Sequence, residues 1–341
     1  LRAESFYADR DIAMKLSMRA TAIDTSAKTV TLSTDETLQY DHLLISTGSR
    51  PRKLSIEGSD LPGIHYLRTM DDVDGMRDGM QPNANLVIVG GGYIGLEVAA
   101  VGRELGLNVH VLEMEERILQ RVTTPEMSAY YHQLHEGRAV NIHTSTGVTG
   151  FAGDGKVQEV LCGDKRFPAD IVIVGIGIIP NTELAEAAGI VCDNGIVVDD
   201  HCRTSDPNVY AAGDCTNHPN PLLDRRLRLE SVPNAMDQAR VSTANMLGDD
   251  KTYAAIPWFW SDQYELKLQM VGFSADGDTQ VLRGDMASNQ FAIFYLKDGK
   301  VVAADAVNSP KEFMLCKQLV GKSADPAMLA DPEADLKALL A

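Results

Sequence analysis

The chain has 341 residues, of which 44% are hydrophobic and 23% charged, and no G-X-Y period runs through its 28 glycines and 14 prolines. At roughly 150 residues per domain this implies two or three globular domains, and it excludes a collagen or a largely disordered chain. Thirty-one Lys and Arg against 48 Asp and Glu leave a net charge of −17, which repels phosphate backbones and argues against nucleic acid as a partner.

Five cysteines (Cys162, Cys192, Cys202, Cys215 and Cys316) show no C-x-x-C spacing. That is neither a zinc ribbon nor a disulfide framework, and thiols in a reducing cytoplasm are expected. No apolar run reaches the roughly 18 residues of a transmembrane helix, so no membrane association is expected. The sequence opens Leu1-Arg2-Ala3-Glu4-Ser5, with neither an initiating Met nor the apolar core of a signal peptide.

In chain order, apolar residues predict short strands at 12–16, 20–23, 30–32 and 43–45, ending in the turn-rich Thr47-Gly48-Ser49-Arg50-Pro51. A polar helix is predicted over 69–80. Leu86-Val87-Ile88-Val89 is a continuous apolar run, as a strand buried on both faces requires. Ile94, Val98, Val101 and Leu105 then recur at helical spacing up to Gly106, and Val109-His110-Val111-Leu112 is a second buried strand, completing a βαβ unit. Strands 148–151 and 157–161 suggest an antiparallel insertion, and 171–177 another buried strand. A short helix follows Pro180-Asn181-Thr182. Further strands are predicted at 196–198 and 209–212, then a helix from Pro233 to about Leu247. A hairpin of 291–296 and 301–307 turns at Lys297-Asp298-Gly299-Lys300. Two helices, 310–320 and 326–340, close the chain. The pair His132 and His135 is expected on a solvated helix face.

The strongest chemical signal is Gly90-x-Gly92-x-x-Gly95, which follows a strand and opens a helix. Gly90 permits the tight turn, Gly92 lets backbone N–H groups approach a pyrophosphate, and Gly95 lets the helix pack on the strand. Glu113 ends the next strand, where a carboxylate accepts from ribose hydroxyls and, with Glu115 and Glu116, repels a 2′-phosphate. NADH is therefore the expected dinucleotide. Arg117 and Arg121 are candidates to flank its adenine or pyrophosphate. Ile94 and Gly177 are taken as further contacts, and Glu97, in the first helical turn, as a residue near the nicotinamide.

Two more segments carry a resemblance. Tyr40-Asp41-His42-Leu43-Leu44-Ile45-Ser46-Thr47-Gly48-Ser49-Arg50-Pro51 resembles the Thr-Gly segment of two-dinucleotide flavoproteins, and Val209-Tyr210-Ala211-Ala212-Gly213-Asp214 their second FAD segment. Glu230-Ser231-Val232-Pro233-Asn234-Ala235 and Pro257-Trp258-Phe259-Trp260-Ser261-Asp262-Gln263 are similar to the bacterial NADH-dependent ferredoxin reductases that serve cytochrome P450s and Rieske-type oxygenases. The resemblance spans essentially the whole chain.

It implies an α/β fold with two Rossmann-like dinucleotide-binding domains, for FAD and NAD, and a C-terminal α+β domain. The expected division is 1–49 (partial FAD domain), 50–178 (NAD domain), 179–258 (second FAD segment) and 259–341. It further implies hydride transfer from NADH to FAD and single electrons passed on to a [2Fe–2S] ferredoxin, by a monomer or weak homodimer. FAD contacts carried over are Ala20, Thr47, Gly48, Arg50, Arg68, Gly213, Asp214 and Val232. Trp260 is placed beside the flavin, and Arg240 at the ferredoxin. The family's N-terminal βαβ unit, with its own G-x-G-x-x-G, has no counterpart before Leu86, so a chain lacking that unit is the expectation.

Because such ferredoxins are acidic, a local positive patch is needed on this acidic chain. Arg225, Arg226 and Arg228 form the densest basic cluster, and with Arg240, Lys311 and Lys317 they are the expected patch. The alternatives are a flavin-dependent disulfide or peroxide reductase, which needs a redox cysteine, and an NADH-responsive binding protein like apoptosis-inducing factor.

Overall fold

Leu86, Val87 and Ile88 are wholly buried, and each such side chain contributes roughly 1.5–3 kcal/mol by leaving water. They belong to Asn85–Val89, the central strand of a five-stranded parallel sheet in the computed structural model, which describes residues 2–340. Leu1 and Ala341, at the two ends of the sequence expectations, lie outside the described residues.

By contact density the chain divides into two units: one up to Gly48 with Pro180–Ala255, the other Ser49–Ile179 with Ile256 onward. In the first unit, Ala20–Asp24, Thr29–Leu32 and Thr37–Gln39 form an antiparallel meander. Leu43–Ile45 and Val209–Ala211 pair in parallel, so two segments far apart in sequence end side by side. Ile196–Val197, Thr216–Asn220 and Arg225–Leu227 make a second small sheet. The helix Val232–Met246 starts on Ser231, whose hydroxyl accepts from Asn234 N–H, with proline in its first turn.

In the second unit the parallel sheet runs Ile64–His65, Ile171–Val174, Asn85–Val89, Asn108–Leu112, Val140–His143. The antiparallel insertion has three strands: Gly150–Ala152, Glu159–Cys162 and Lys165–Pro168. The C-terminal part is an antiparallel sheet ordered Trp258–Gln263, Leu266–Gly272, Lys300–Val307, Gln290–Lys297, Thr279–Asp285. Its hairpin turns through Asp298 (φ 51) and Gly299 (φ 73), both left-handed, as a two-residue turn joining twisted strands requires.

One face of that sheet packs on the helix Pro310–Leu319 through Phe313, Cys316 and Leu319. The other packs Phe291, Ile293 and Tyr295 against Leu96, Met127 and Tyr131 of the dinucleotide half. A buried polar link crosses the same interface: Asp305 accepts from Thr123 Oγ1 at 3.1 Å and from the Tyr295 hydroxyl at 2.9 Å. Burial pushes the Asp305 carboxyl up to about 6.

The structure departs from the sequence expectations at several points. Residues 12–16 form no strand: Asp11 and Ser17 take left-handed backbone, and Ile12, Met14 and Leu16 stay exposed with no strand beside them. The turn after Gly48 contains a short strand, Ser49–Pro51. The predicted 326–340 helix is two pieces, Pro326–Ala330 and the 3-10 turn Leu336–Leu340, because Pro332 interrupts it. The helix Tyr93–Glu104 forms as predicted and Val98 of its predicted stripe is buried, but Ile94, Val101 and Leu105 are about half exposed. The face on the parallel sheet is Gly95, Val98, Ala99 and Gly102, whose small residues permit close approach; a Cβ at Gly102 would meet Leu86 Cδ2 at 2.7 Å. His135 is fully buried, not solvated.

Candidate functional site: two nucleotide sites

The strand Asn85–Val89 delivers the turn at Gly90, whose φ of +109° is left-handed. A Cβ at Gly90 would meet Gly175 O at 2.3 Å, and one at Gly95 would meet Gly90 O at 2.1 Å, so neither position admits a side chain. A Cβ at Gly92 meets nothing within 4 Å. Gly92 is also the N-cap of the helix Tyr93–Glu104 and offers no side-chain cap, which leaves the first N–H groups and the positive dipole end to an anion.

A cleft of about 360 Å³ opens here, lined by Gly90, Gly92, Glu113, Glu115, Arg121 and Gly175 among others. The open space, the uncapped helix end and the carboxylate fit a dinucleotide. Glu113 Oε2 accepts from Gly91 N–H at 2.7 Å and Oε1 from Glu115 N–H at 2.9 Å. Each oxygen keeps a lone pair for a ribose hydroxyl, so the same carboxylate also fixes the glycine-rich turn.

Arg117 does not reach the cleft: its guanidinium donates to the carbonyls of Gln120, Thr123 and Thr124 and so shapes the following turn. Thr146, Gly147 and Arg52 also line the cleft and were not picked out from the sequence. Gly177 (φ +98°) accepts from Arg52 N–H at 2.9 Å on the adjoining segment.

Glu97 lies on the same helix and is half-buried. Burial raises its carboxyl pKa, and the Ser261 hydroxyl, donating to Oε1 at 2.6 Å, opposes that rise. Glu97 also lines an apolar groove of about 420 Å³ together with Ile94 and Val98. Ser261 comes from the strand Trp258–Gln263, whose faces alternate. Phe259, Ser261 and Gln263 turn toward the dinucleotide half, where Phe259 meets the Tyr93 ring edge-on at 5.3 Å. Trp258 and Trp260 share the other face, their ring centroids 5.8 Å apart. Lys317 lies over the Trp258 ring at 4.3 Å.

The second site is in the first unit. Thr47-Gly48 and Gly213-Asp214 follow directly on the parallel strands Leu43–Ile45 and Val209–Ala211, at their carboxyl ends, where open α/β sheets bind ligands. Gly48 (φ 62) and Gly213 (φ 87) are both left-handed. Thr47 Oγ1 donates to Asn181 O at 2.7 Å, and Asn181 Nδ2 returns a bond to Thr47 O at 2.9 Å, which holds the first loop. Gly213 N–H and Thr216 Oγ1 both donate to Gln238 Oε1, at 2.8 and 2.9 Å, which ties the second loop to the helix Val232–Met246. Ser231 caps the N-terminus of that helix, and Val232 in its first turn is 56% exposed. Two left-handed turns and a helix N-terminus fit the ribityl and ring portions of a flavin nucleotide. Ala20 opens the first strand of the meander, while Arg50 and Arg68 fall in the second unit.

The basic cluster is not one free patch. Arg226 donates to Val198 O, Asn217 O and Asn217 Oδ1, so it closes its own small sheet. Arg228 pairs with Glu230. Arg225 is exposed on its strand, and Arg240, also exposed, lies 2.8 Å from Asp237. The cysteines are all free, and burial raises each thiol, Cys192 to about 11 and Cys202 to about 12. Among the described residues no helix is long and apolar enough to cross a membrane.

Two nucleotide sites and a C-terminal α+β layer define a two-dinucleotide flavoprotein oxidoreductase. Residues 4–239 match the pyridine nucleotide-disulphide oxidoreductase family and residues 258–340 the reductase C-terminal domain, and the chain belongs to this family of reductases. It is 43% identical to putidaredoxin reductase CamA of Pseudomonas putida, over 100% of this chain and 83% of that protein. It is likewise 43% identical to the ferredoxin–NAD(+) reductase component of the anthranilate 1,2-dioxygenase system of Burkholderia cepacia, over 100% of this chain and 85% of the relative. The crystal structure of a covalent putidaredoxin reductase–putidaredoxin complex superposes with a TM-score of 0.95 at 43% identity, over 100% of this chain and 84% of that one.

Proposed function

We propose that this protein is an NADH-dependent ferredoxin reductase that carries FAD and feeds single electrons to a [2Fe–2S] ferredoxin of a P450 or Rieske-type oxygenase system. The observation that carries the proposal is the pair of nucleotide sites in one chain whose relatives are named ferredoxin reductases. FAD supplies the conversion of a two-electron hydride into two one-electron transfers, which a nicotinamide and an iron–sulfur cluster cannot exchange directly.

In this proposal residues 50–178 hold NADH. Gly90, Gly92, Gly95, Ile94 and Gly177 shape its bed, Arg121 faces its phosphates, Glu113 takes the ribose hydroxyls, and Glu97 borders the nicotinamide. Residues 1–49 and 179–258 hold FAD through Ala20, Thr47, Gly48, Gly213 and Asp214. The helix beginning at Val232 would set its positive end at the flavin N1/C2=O edge, where negative charge is added on reduction. Residues 259–341 and the face of Trp258 and Trp260 serve the ferredoxin side, with Arg240 and Arg225 as docking charges. Glu113 and Glu115 disfavour a 2′-phosphate, which supports NADH over NADPH. Five free thiols support a cytoplasmic setting. A thiol-based reductase would need a low-pKa cysteine, and burial moves every thiol here the other way.

The test is the visible spectrum of the purified protein. A flavin band that NADH bleaches quickly, NADPH slowly, and alkylation of all thiols leaves responsive is the expected result. A colourless protein, or one inactivated by alkylation, overturns the proposal.

A further inference from the structure

Glu97 ends a hydrogen-bonded chain of five side chains drawn from two helices, a strand and the turn after that strand, all in the second unit. Ser261 Oγ donates to Glu97 Oε1 at 2.6 Å, and Gln263 Nε2 donates to Ser261 Oγ at 3.1 Å. Gln263 Oε1 lies 2.8 Å from His135 Nε2, and the Tyr264 hydroxyl lies 3.1 Å from His135 Nδ1. Ser261, Gln263 and His135 are all 0% exposed, so water cannot substitute for any of these three.

With Glu97 ionised, the donor inventory gives one direction to every bond of the chain. An ionised carboxylate only accepts, so Ser261 must donate to Glu97. The Ser261 proton is then committed, and Gln263 must present its amide nitrogen to Oγ. Its oxygen therefore faces His135, and a glutamine oxygen only accepts, so His135 Nε2 carries the hydrogen. Nδ1 is left with a lone pair, which accepts from Tyr264. Were the Gln263 amide reversed, its oxygen would take the Ser261 proton and Glu97 would lose its donor. His135 with its hydrogen on Nε2 excludes that reversal, whereas hydrogen on Nδ1, donated to the Tyr264 oxygen, would allow it, so the tautomer of His135 decides the orientation of Gln263.

We propose that His135, held by Tyr264, is a positioning residue for Glu97: it selects the Gln263 amide orientation that aims the Ser261 hydroxyl at the carboxylate. This rests on the assignment of Glu97 to the nicotinamide end of the NADH site. Burial lowers the pKa of His135 against the opposing Gln263 hydrogen bond, and His132 and Arg138 act in the same sense as burial, which favours the neutral imidazole. Tyr264 is raised by burial to about 12 and stays a donor. The other charged groups near Glu97 are Asp262, which raises its pKa, and Arg77, which lines the same groove.

The test uses FAD-loaded protein labelled with ¹³C at the glutamate carboxyls, the Glu97 signal being assigned by its loss in Glu97→Gln. His135→Phe removes the N–H that orients Gln263, whereas His135→Gln keeps an amide N–H near the place of Nε2. The expected result for His135→Phe is a Glu97 titration midpoint raised by about one unit and an NADH Kd raised roughly tenfold. Ser261→Ala should reproduce the midpoint shift, and His135→Gln should stay within about twofold of the parent Kd. Imidazole ¹⁵N spectra should show hydrogen on Nε2 only. An unmoved midpoint in both His135→Phe and Ser261→Ala, or a His135→Gln protein as impaired as His135→Phe at equal thermal stability, overturns the proposal. If Glu97→Gln leaves NADH binding unchanged, it is the placement of Glu97 at the nicotinamide that falls, while the carboxyl titration still decides the chain.

Discussion

The two nucleotide sites are built in opposite ways. The NADH cleft rests on one contiguous stretch: a strand, a glycine-rich turn, a helix and the carboxylate that ends the next strand, with Gly90 and Glu113 both lining it. The flavin site gathers Thr47-Gly48, Gly213-Asp214 and the helix start at Val232, brought together by parallel pairing of Leu43–Ile45 with Val209–Ala211 and by Gln238. A contiguous site depends on backbone shape at a few glycines. A gathered site depends on side chains that tie distant loops.

That contrast can be broken experimentally, and the largest expected effect is at Gly95. A Cβ there would meet Gly90 O at 2.1 Å, and backbone cannot yield as a side chain does. Gly95→Ala is expected to cost roughly 3 kcal/mol or more, about a hundredfold in NADH affinity by fluorescence titration. A loss under about threefold would show that the turn is not the rigid element claimed. For the gathered site, Asp214→Ala should weaken FAD retention by roughly 10- to 100-fold, the worth of a hydrogen bond to a charged group, and leave NADH affinity unchanged. Bound flavin measured by absorbance after gel filtration reads this directly, and full retention would remove Asp214 from the site.

Glu113→Ala should then raise the NADH Kd about tenfold and narrow the preference over NADPH, since the residue both accepts from Gly91 N–H and discourages a 2′-phosphate. Unchanged selectivity would leave Glu113 only its structural task. The smallest effect is expected at the docking charges. Arg240→Glu should raise the ferredoxin KM roughly three- to tenfold and leave reduction of ferricyanide alone, because exposed charges act mainly on encounter. Arg226→Glu should instead lower thermal stability and both activities together, because its guanidinium closes the sheet at Val198 and Asn217.

What could be read before folding follows the same division. Leu86–Val89 and the glycines after it were legible because period and spacing are local properties. The flavin segments were legible only as a resemblance: nothing in Thr47-Gly48 alone says that Val209–Ala211 will pair beside it. Ser261 was hidden because its task depends on which face of Trp258–Gln263 turns inward. His135 was legible after all, since Met127, Tyr131 and His135 recur every fourth residue and all three are buried. The cluster from Arg225 to Arg228 misled because charge density in sequence does not say which guanidinium is spent on a neighbouring carbonyl. The 12–16 strand failed for lack of a pairing partner, which alternation cannot reveal.

The strand Trp258–Gln263 carries both tryptophans of the chain on a single face, one of them 39% exposed. Excitation at the red edge of protein absorption therefore samples one small surface and nothing else. Emission intensity and its accessibility to acrylamide become a local gauge, free of any attached dye, of whatever molecule comes to rest against that strand.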